Sequence, residues 1–199
     1  MAGQANTFEI ARRKASVGQG LLELPGIGEI RLAWSEKGLL LLELPNTEPE
    51  AGAQAMVDRG IEAPIEMVDV PALYCEPLLA YAAGEPVEPA GLPVDLYGTS
   101  FQLRVWAALR TIPRGSVRSY GGIATDLNNP RAVRAIGMAN SVNPVAIAVP
   151  CHRVVESGLK LGGFASGPAM KRKLLALEGV SVEAERVRPG QLELWDRLG

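Results

Sequence analysis

Cys151 and His152 are neighbours in a chain of 199 residues that contains one histidine and two cysteines in all. A thiol attacks as the thiolate, so a cysteine placed for chemistry needs a base or a cation beside it. The only imidazole of the chain is the adjacent candidate. Two arrangements are open from these residues alone. Neighbouring side chains of an extended segment point to opposite faces, so a working pair needs a sharp turn or a bridging water. The alternative is a buried structural cysteine beside a surface histidine. Cys75, the other thiol, falls in a helical pattern and reads as a small buried hydrophobe. One imidazole and two thiols do not make the usual four-ligand zinc site, so no metal is expected. Two cysteines make no disulfide framework, and a free thiol suits a reducing cytosol.

The elements that must position this pair divide the chain unevenly. Residues 20–25, 30–34 and 39–44 are short apolar runs separated by Gly26, Gly28 and Ser35-Glu36-Lys37-Gly38, which predicts a strand meander. Residues 45–68 are polar and irregular, an expected loop. Residues 71–83 read as a helix with Leu73, Leu78, Leu79 and Ala82 as its apolar residues, and residues 84–93 as a Pro- and Gly-rich linker. Thr99 and Gln102 form a capping-box pattern ahead of a helix whose apolar face is Phe101, Val105, Leu109 and Ile112, ended by Pro113. Ser119 is placed to cap a short helix over 120–127. Asn129-Pro130 is placed to open a third, with Asn129 as N-cap. Two short helices joined by a tight turn are a helix-turn-helix candidate; plain packing gives the same pattern. Val145 to Val149 predicts a buried strand delivering Cys151, Gly158 to Gly167 a glycine-rich loop, and Pro168 to Glu178 a last helix closed by Gly179.

Composition sets the class. Hydrophobic residues at 47% and charged residues at 21% describe a globular protein with a real core, and no apolar run is long enough to span a bilayer. Residues 1–20 carry Glu9, Arg12, Arg13 and Lys14 with no apolar stretch, so no secretory leader is expected and a cytoplasmic location is. The net charge of −2 conceals a split: residues 101–179 hold eleven basic and three acidic residues, residues 1–100 six and fifteen. A basic half beside an acidic one is consistent with a polyanion-facing surface or with an ordinary solvated one.

Pro150-Cys151-His152-Arg153-Val154 resembles the active-site motif of the O6-alkylguanine-DNA alkyltransferases. The likeness extends, in order and spacing, through Gly98-Thr99-Ser100-Phe101-Gln102, Val105-Trp106, Ile112-Pro113, Ser119-Tyr120, Arg134-Ala135-Ile136-Gly137, Ala139-Asn140, Asn143-Pro144, Leu174-Leu175 and Glu178-Gly179. It covers essentially all of residues 98–179; residues 1–97 fit only loosely, as the family's variable amino-terminal domain.

The resemblance implies roles for matching residues. Cys151 resembles the alkyl acceptor, His152 the general base acting through a water, and Glu178 the carboxylate that orients that histidine. Asn143 resembles the residue that fixes the turn at the active-site strand. Tyr120 resembles the residue that crowds the target phosphate and gives a proton to the departing guanine. Arg134 resembles the finger that fills the stack once the base is flipped out. Ala132, Val133, Ala135, Ile136, Gly137 and Ala139 make the third helix slim, which suits a minor groove roughly 6 Å wide or a packed core. Val154 resembles the residue whose carbonyl, with that of Cys151, reads the guanine amino group. Phe164, where tyrosine is usual, and Ala165 and Ser166 belong to the pocket wall.

The fold expected is a small α/β amino-terminal domain with an antiparallel sheet (residues 1–97) and a mainly α carboxy-terminal domain with a winged helix-turn-helix (residues 98–199). The expected activity is single-turnover transfer of an alkyl group from O6-alkylguanine in duplex DNA to Cys151 by a monomer, without cofactor or membrane. A non-catalytic binder of alkylated DNA is the alternative; proteins of that kind lack the cysteine. A winged-helix regulator would call for a recognition helix rich in polar side chains, and a cysteine hydrolase for an oxyanion hole that the sequence does not reveal.

Overall fold

The computed structural model describes residues 18–45 and 66–188, and the statements below concern those residues. Strands β1 (Gly18–Leu24), β2 (Gly28–Ser35) and β3 (Gly38–Glu43) form the expected antiparallel meander. Gly38 turns the chain from β2 into β3 at φ 152°, and a Cβ there would stand 2.5 Å from the Pro93 carbonyl carbon, so the position demands glycine. A two-residue strand β4 (Glu66–Met67) joins β1 in parallel, which makes the sheet mixed rather than purely antiparallel, in the order β3-β2-β1-β4. It lies in the stretch expected as loop. Two residues of main-chain pairing carry no readable side-chain alternation. Residues 46–65 of that expected loop are outside the described residues.

Helix α1 (Ala72–Ala82) follows, and its buried face is Tyr74, Leu78, Tyr81 and Ala82. Leu73 and Leu79, expected on that face, are exposed. The i, i+4, i+7, i+8 spacing is met by the two tyrosines, and both leucines fall off that stripe. The segment expected as a linker forms a short 3-10 turn, Pro89–Gly91, and then pairs with β3. Leu39 N–H donates to the Pro93 carbonyl (2.9 Å) and Asp95 N–H to the Leu39 carbonyl (2.8 Å).

Helix α2 (Ser100–Arg110) begins with the capping box read from the sequence: Gln102 N–H donates to Thr99 Oγ1 (3.2 Å) and Thr99 N–H to Gln102 Oε1 (2.8 Å). Its Val105, Trp106 and Leu109 are buried, and Ile112 beyond it as well. Helix α3 (Tyr120–Asp126) is capped by Ser119, whose Oγ accepts from Gly122 N–H (2.9 Å). The chain reverses through Asn128 at φ 54°. The third helix departs from expectation: Pro130–Ala132 is a 3-10 turn, and α4 (Val133–Ser141) starts after it with no side-chain cap from Asn129. The Asn129 carbonyl instead accepts Ala132 N–H, tightening the entry to three residues per turn. Trp106 Nε1–H donates to the Ala139 carbonyl (2.9 Å) and pins α2 to α4.

The last helix, α5 (Gly167–Leu177), ends at Gly179, φ 81°, as the sequence predicts. Strands β5 (Arg118–Ser119) and β6 (Val154–Val155) pair in parallel. Strands β7 (Val182–Glu183) and β8 (Arg186–Val187) form a hairpin through Ala184 and Glu185, both at positive φ. One apolar core takes Leu24, Ile30 and Leu42 from the sheet, Leu78 and Tyr81 from α1, Trp106 from α2, Ile136 from α4, and Cys151. No helix among the described residues is long and apolar enough to cross a membrane.

Candidate active site

The run Val145–Val149, predicted as a strand, is a sequence of turns with a single bridge from Val145 to Leu42 of β3. Its backbone is folded rather than extended because Asn143 ties its two ends. Asn143 Nδ2 donates to the Val149 carbonyl (2.8 Å), and Asn143 Oδ1 accepts from Val145 N–H (3.1 Å). Ile147 within it stands at φ 66°, a conformation that β-branched residues rarely adopt. An apolar run has the same pattern in a buried strand and a buried turn, so the sequence could not separate them.

Out of this turn the chain enters a short 3-10 helix, Cys151–Arg153, with Cys151 N–H donating to the Val149 carbonyl (2.7 Å). The turn takes the two residues out of the extended conformation in which neighbouring side chains point to opposite faces. Cys151 is buried, and burial pushes its thiol above the usual range. A hydrogen bond from the Asn143 side chain and the charge of Lys171 act the other way.

His152 is fully buried and its Nε2–H meets Glu178 Oε1 at 2.7 Å. Its Nδ1 is buried with no hydrogen-bond partner among the described residues. Glu178, at the end of α5, is the centre of the cluster. Besides His152, its Oε1 accepts from Tyr81 O–H (2.8 Å) and Arg153 Nη2 (2.9 Å), and its Oε2 from Arg153 Nε (2.8 Å). Burial alone would raise this carboxyl, but His152 and Arg153 outweigh it and hold it well below the usual carboxylate range. Arg153 is itself fully buried and reaches Glu88 through both Nη atoms (2.9 and 3.1 Å) and the Ile112 carbonyl (2.6 Å). Desolvation disfavours its charge, and Glu178 and Glu88 more than restore it.

Tyr120, at the start of α3, is half-buried, and its oxygen accepts from Asn140 Nδ2 of α4 (3.4 Å). Burial raises its phenol above the ordinary value; Cys151 and Glu156 add to this and Asn140 opposes it. Lys171 of α5 also points inward. It is fully buried and donates to the carbonyls of Val154 (2.6 Å), Leu161 and Gly163 (3.4 Å). Burial brings its ammonium down to about 8. The carbonyl of Val154 is thus held in place by a buried cation.

The structure therefore brings Cys151, His152, Glu178, Asn143 and Tyr120 into one neighbourhood, with Val154 beside it. Phe164 packs partly buried against the core, and Ala165 is exposed. On α4, Arg134 and Ala135 are exposed and Gly137 half-exposed, whereas Ala132, in the 3-10 turn before it, is buried in the core. No group of side chains among the described residues is arranged to hold a metal ion. Sequence reasoning missed Tyr81, Arg153 and Lys171. Arg153 carried a signal, since a charged residue in the apolar stretch from Val145 to Val155 must be paired once buried. Tyr81 and Glu88 carried none, because their partners lie 97 and 65 residues away.

Residues 100–180 match the family model described as 6-O-methylguanine DNA methyltransferase, DNA binding domain. The methylated-DNA–protein-cysteine methyltransferase of Methanosarcina acetivorans is 42% identical over 156 residues, 77% of this chain and 93% of that protein. The protein of the same name from Mycolicibacterium paratuberculosis is 50% identical over 121 residues, 61% of this chain and 69% of its own. Among solved structures, Mycobacterium tuberculosis OGT in complex with DNA superimposes with a TM-score of 0.68 at 38% identity, covering 81% of this chain and 93% of that one. The O6-methylguanine-DNA methyltransferase of the archaeon Pyrococcus kodakaraensis superimposes with a TM-score of 0.62 at 26% identity, covering 82% and 99%. The chain belongs to the methylated-DNA–protein-cysteine methyltransferase family.

Proposed function

We propose that this chain repairs duplex DNA by moving the alkyl group of O6-alkylguanine onto Cys151, once per molecule. The observation that carries the reading is the buried order Cys151, His152, Glu178. The carboxylate commits one ring nitrogen of the histidine and leaves the other, Nδ1, without a partner among the described residues.

The chemistry follows from that order. Burial keeps the Cys151 proton on sulfur, so the thiol needs a base. His152 Nδ1 takes the proton, through a water as the family resemblance implies, and Glu178 stabilises the imidazolium that forms. The sulfur then attacks the alkyl carbon. A carbon–sulfur bond forms, the bond from carbon to guanine O6 breaks, and its electron pair stays with the base. Tyr120, kept protonated by burial and by its anionic neighbours, gives its proton to the guanine ring, so neutral guanine leaves. The proton gained by the base replaces the one lost by the thiol once His152 and Tyr120 re-equilibrate with water. The thioether has no return path, and no cofactor enters the balance.

A buried sulfur cannot reach a stacked base, so the nucleotide has to turn out of the duplex. The helix pair α3–α4 acts as the helix-turn-helix, with the exposed Arg134 filling the gap and the face of Ala135 and Gly137 admitting the minor groove. The likeness to a protein solved with DNA supports this placement. Mixing a limiting amount of protein with excess duplex holding one O6-methylguanine tests the reading. Repaired lesions should plateau at one per protein and be undetectable for Cys151→Ser. Continued turnover, or activity in Cys151→Ser, would contradict it.

A further inference from the structure

We infer that Tyr81, from the amino-terminal segment, is a positioning residue of this site: its hydroxyl holds the Glu178 carboxylate that backs His152. The inference rests on the reading of His152 as the base.

The Tyr81 side chain is fully buried on α1, and its O–H donates to Glu178 Oε1 at 2.8 Å. That oxygen is the one His152 Nε2–H uses, and Tyr81 Oη lies 3.4 Å from the same nitrogen. Tyr81 and His152 therefore share one carboxylate oxygen. The other ionic groups around it are Arg153, with two bonds to Glu178, Glu88 behind Arg153, and Arg114, whose guanidinium bonds the Leu177 carbonyl and whose N–H donates to Glu88. Cys151 precedes His152 in the chain, and Lys171 lies on the same helix as Glu178.

The two bonds from Arg153 fix the carboxylate rotamer and with it the ring of His152. The Tyr81 hydroxyl takes up part of the negative charge that would otherwise pull a proton onto the imidazole, since a hydrogen bond to the ionised form of a carboxylate weakens it as a base. Removing the hydroxyl alone should strengthen the grip of Glu178 on the imidazolium, so the base is lost to protonation at a higher pH.

The test is Tyr81→Phe in the full chain, which keeps the packed ring. Two quantities are measured across pH: the single-turnover rate of methyl transfer from duplex O6-methylguanine, and the NMR titration of the histidine ring. The chain has one histidine, so the ring signal belongs to His152. The expected result is an acid limb moved to higher pH by roughly half a unit or more. The alkaline plateau should stay within about twofold of the parent, as expected when only the base's protonation changes. The ring titration should move the same way and the affinity for duplex should not change. A rate profile and ring titration that superimpose on the parent would overturn the inference, as would a uniform slowing with an unmoved limb. If Tyr81→Phe does not fold, the parent chain grown with ring-fluorinated tyrosine, a stronger donor, should shift the histidine titration to lower pH; an unmoved titration overturns the inference. A parent chain that accepts no methyl group would sink the proposed reaction and leave the ring titration as the test of Tyr81.

Discussion

Glu178 is buried and accepts four hydrogen bonds. A buried carboxylate is tolerable only when fully paired, and losing one member of a buried ionic cluster costs about 3–5 kcal/mol. Its pairing is also a pH-dependent stability. The folded-state value lies below the unfolded one, about 4.5, so the contribution is complete above that pH. It is lost as pH falls below 4.5 toward the depressed folded value. Glu178→Gln should therefore be less stable than the parent by about 3–5 kcal/mol near neutral pH. The gap should narrow as pH falls from 4.5 toward 3. Urea unfolding at a series of pH values checks this, and a gap that does not change with pH would contradict it. Half of this cluster could be read from the sequence: Cys151, His152 and Glu178 follow from the resemblance to the alkyltransferase family. Tyr81 and Glu88 do not, because nothing near them in the chain reveals a partner that only the fold supplies.

Among the elements, those set by local chemistry were readable and those set by distant contacts were not. Thr99 with Gln102 and Ser119 with Gly122 satisfy helix N–H groups within three residues, so the starts of α2 and α3 follow from the sequence. The turn over Val145–Val149 depends on the Asn143 side chain and on Leu42 of β3, and its apolar pattern alone fits a strand as well. The face of α1 differs from the apolar pattern because Tyr74 and Tyr81 join Leu78 and Ala82 on its buried stripe, while Leu73 and Leu79 are exposed. Helix α4 carries the proposed stacking residue, and Arg134 on it is exposed. Arg134→Ala should leave the fold unchanged and slow transfer from a paired duplex on the order of tenfold, through ~1–2 kcal/mol of unstacking no longer compensated. A single-stranded substrate should lose little. Rapid-quench rates on the two substrates decide it, and an equal loss on both would contradict the stacking role.

At the scale of the whole molecule, the excess of basic residues in 101–179 overstates what DNA can meet. Arg153 and Lys171 are fully buried, and Arg110 and Arg114 are spent on backbone carbonyls. The cations left for phosphate are fewer than composition suggests, and they include Arg131 and Arg134 around the start of α4. The two halves also share more than a chain connection. One core runs from the sheet through α1 to Cys151, and β3 bonds both the segment before α2 and the turn before the cysteine. The amino-terminal strands thus brace the turn that presents the thiol. The sequence suggested only a loosely related scaffold, since main-chain pairing and core packing leave no motif. The proposed function makes the molecule a reagent consumed at Cys151. The most direct test is the intact mass of the protein after mixing with duplex DNA holding one O6-methylguanine. The account predicts one added methyl group in place of a proton, mapped to Cys151 and absent in Cys151→Ser; an unchanged mass despite tight binding to the lesion would contradict it.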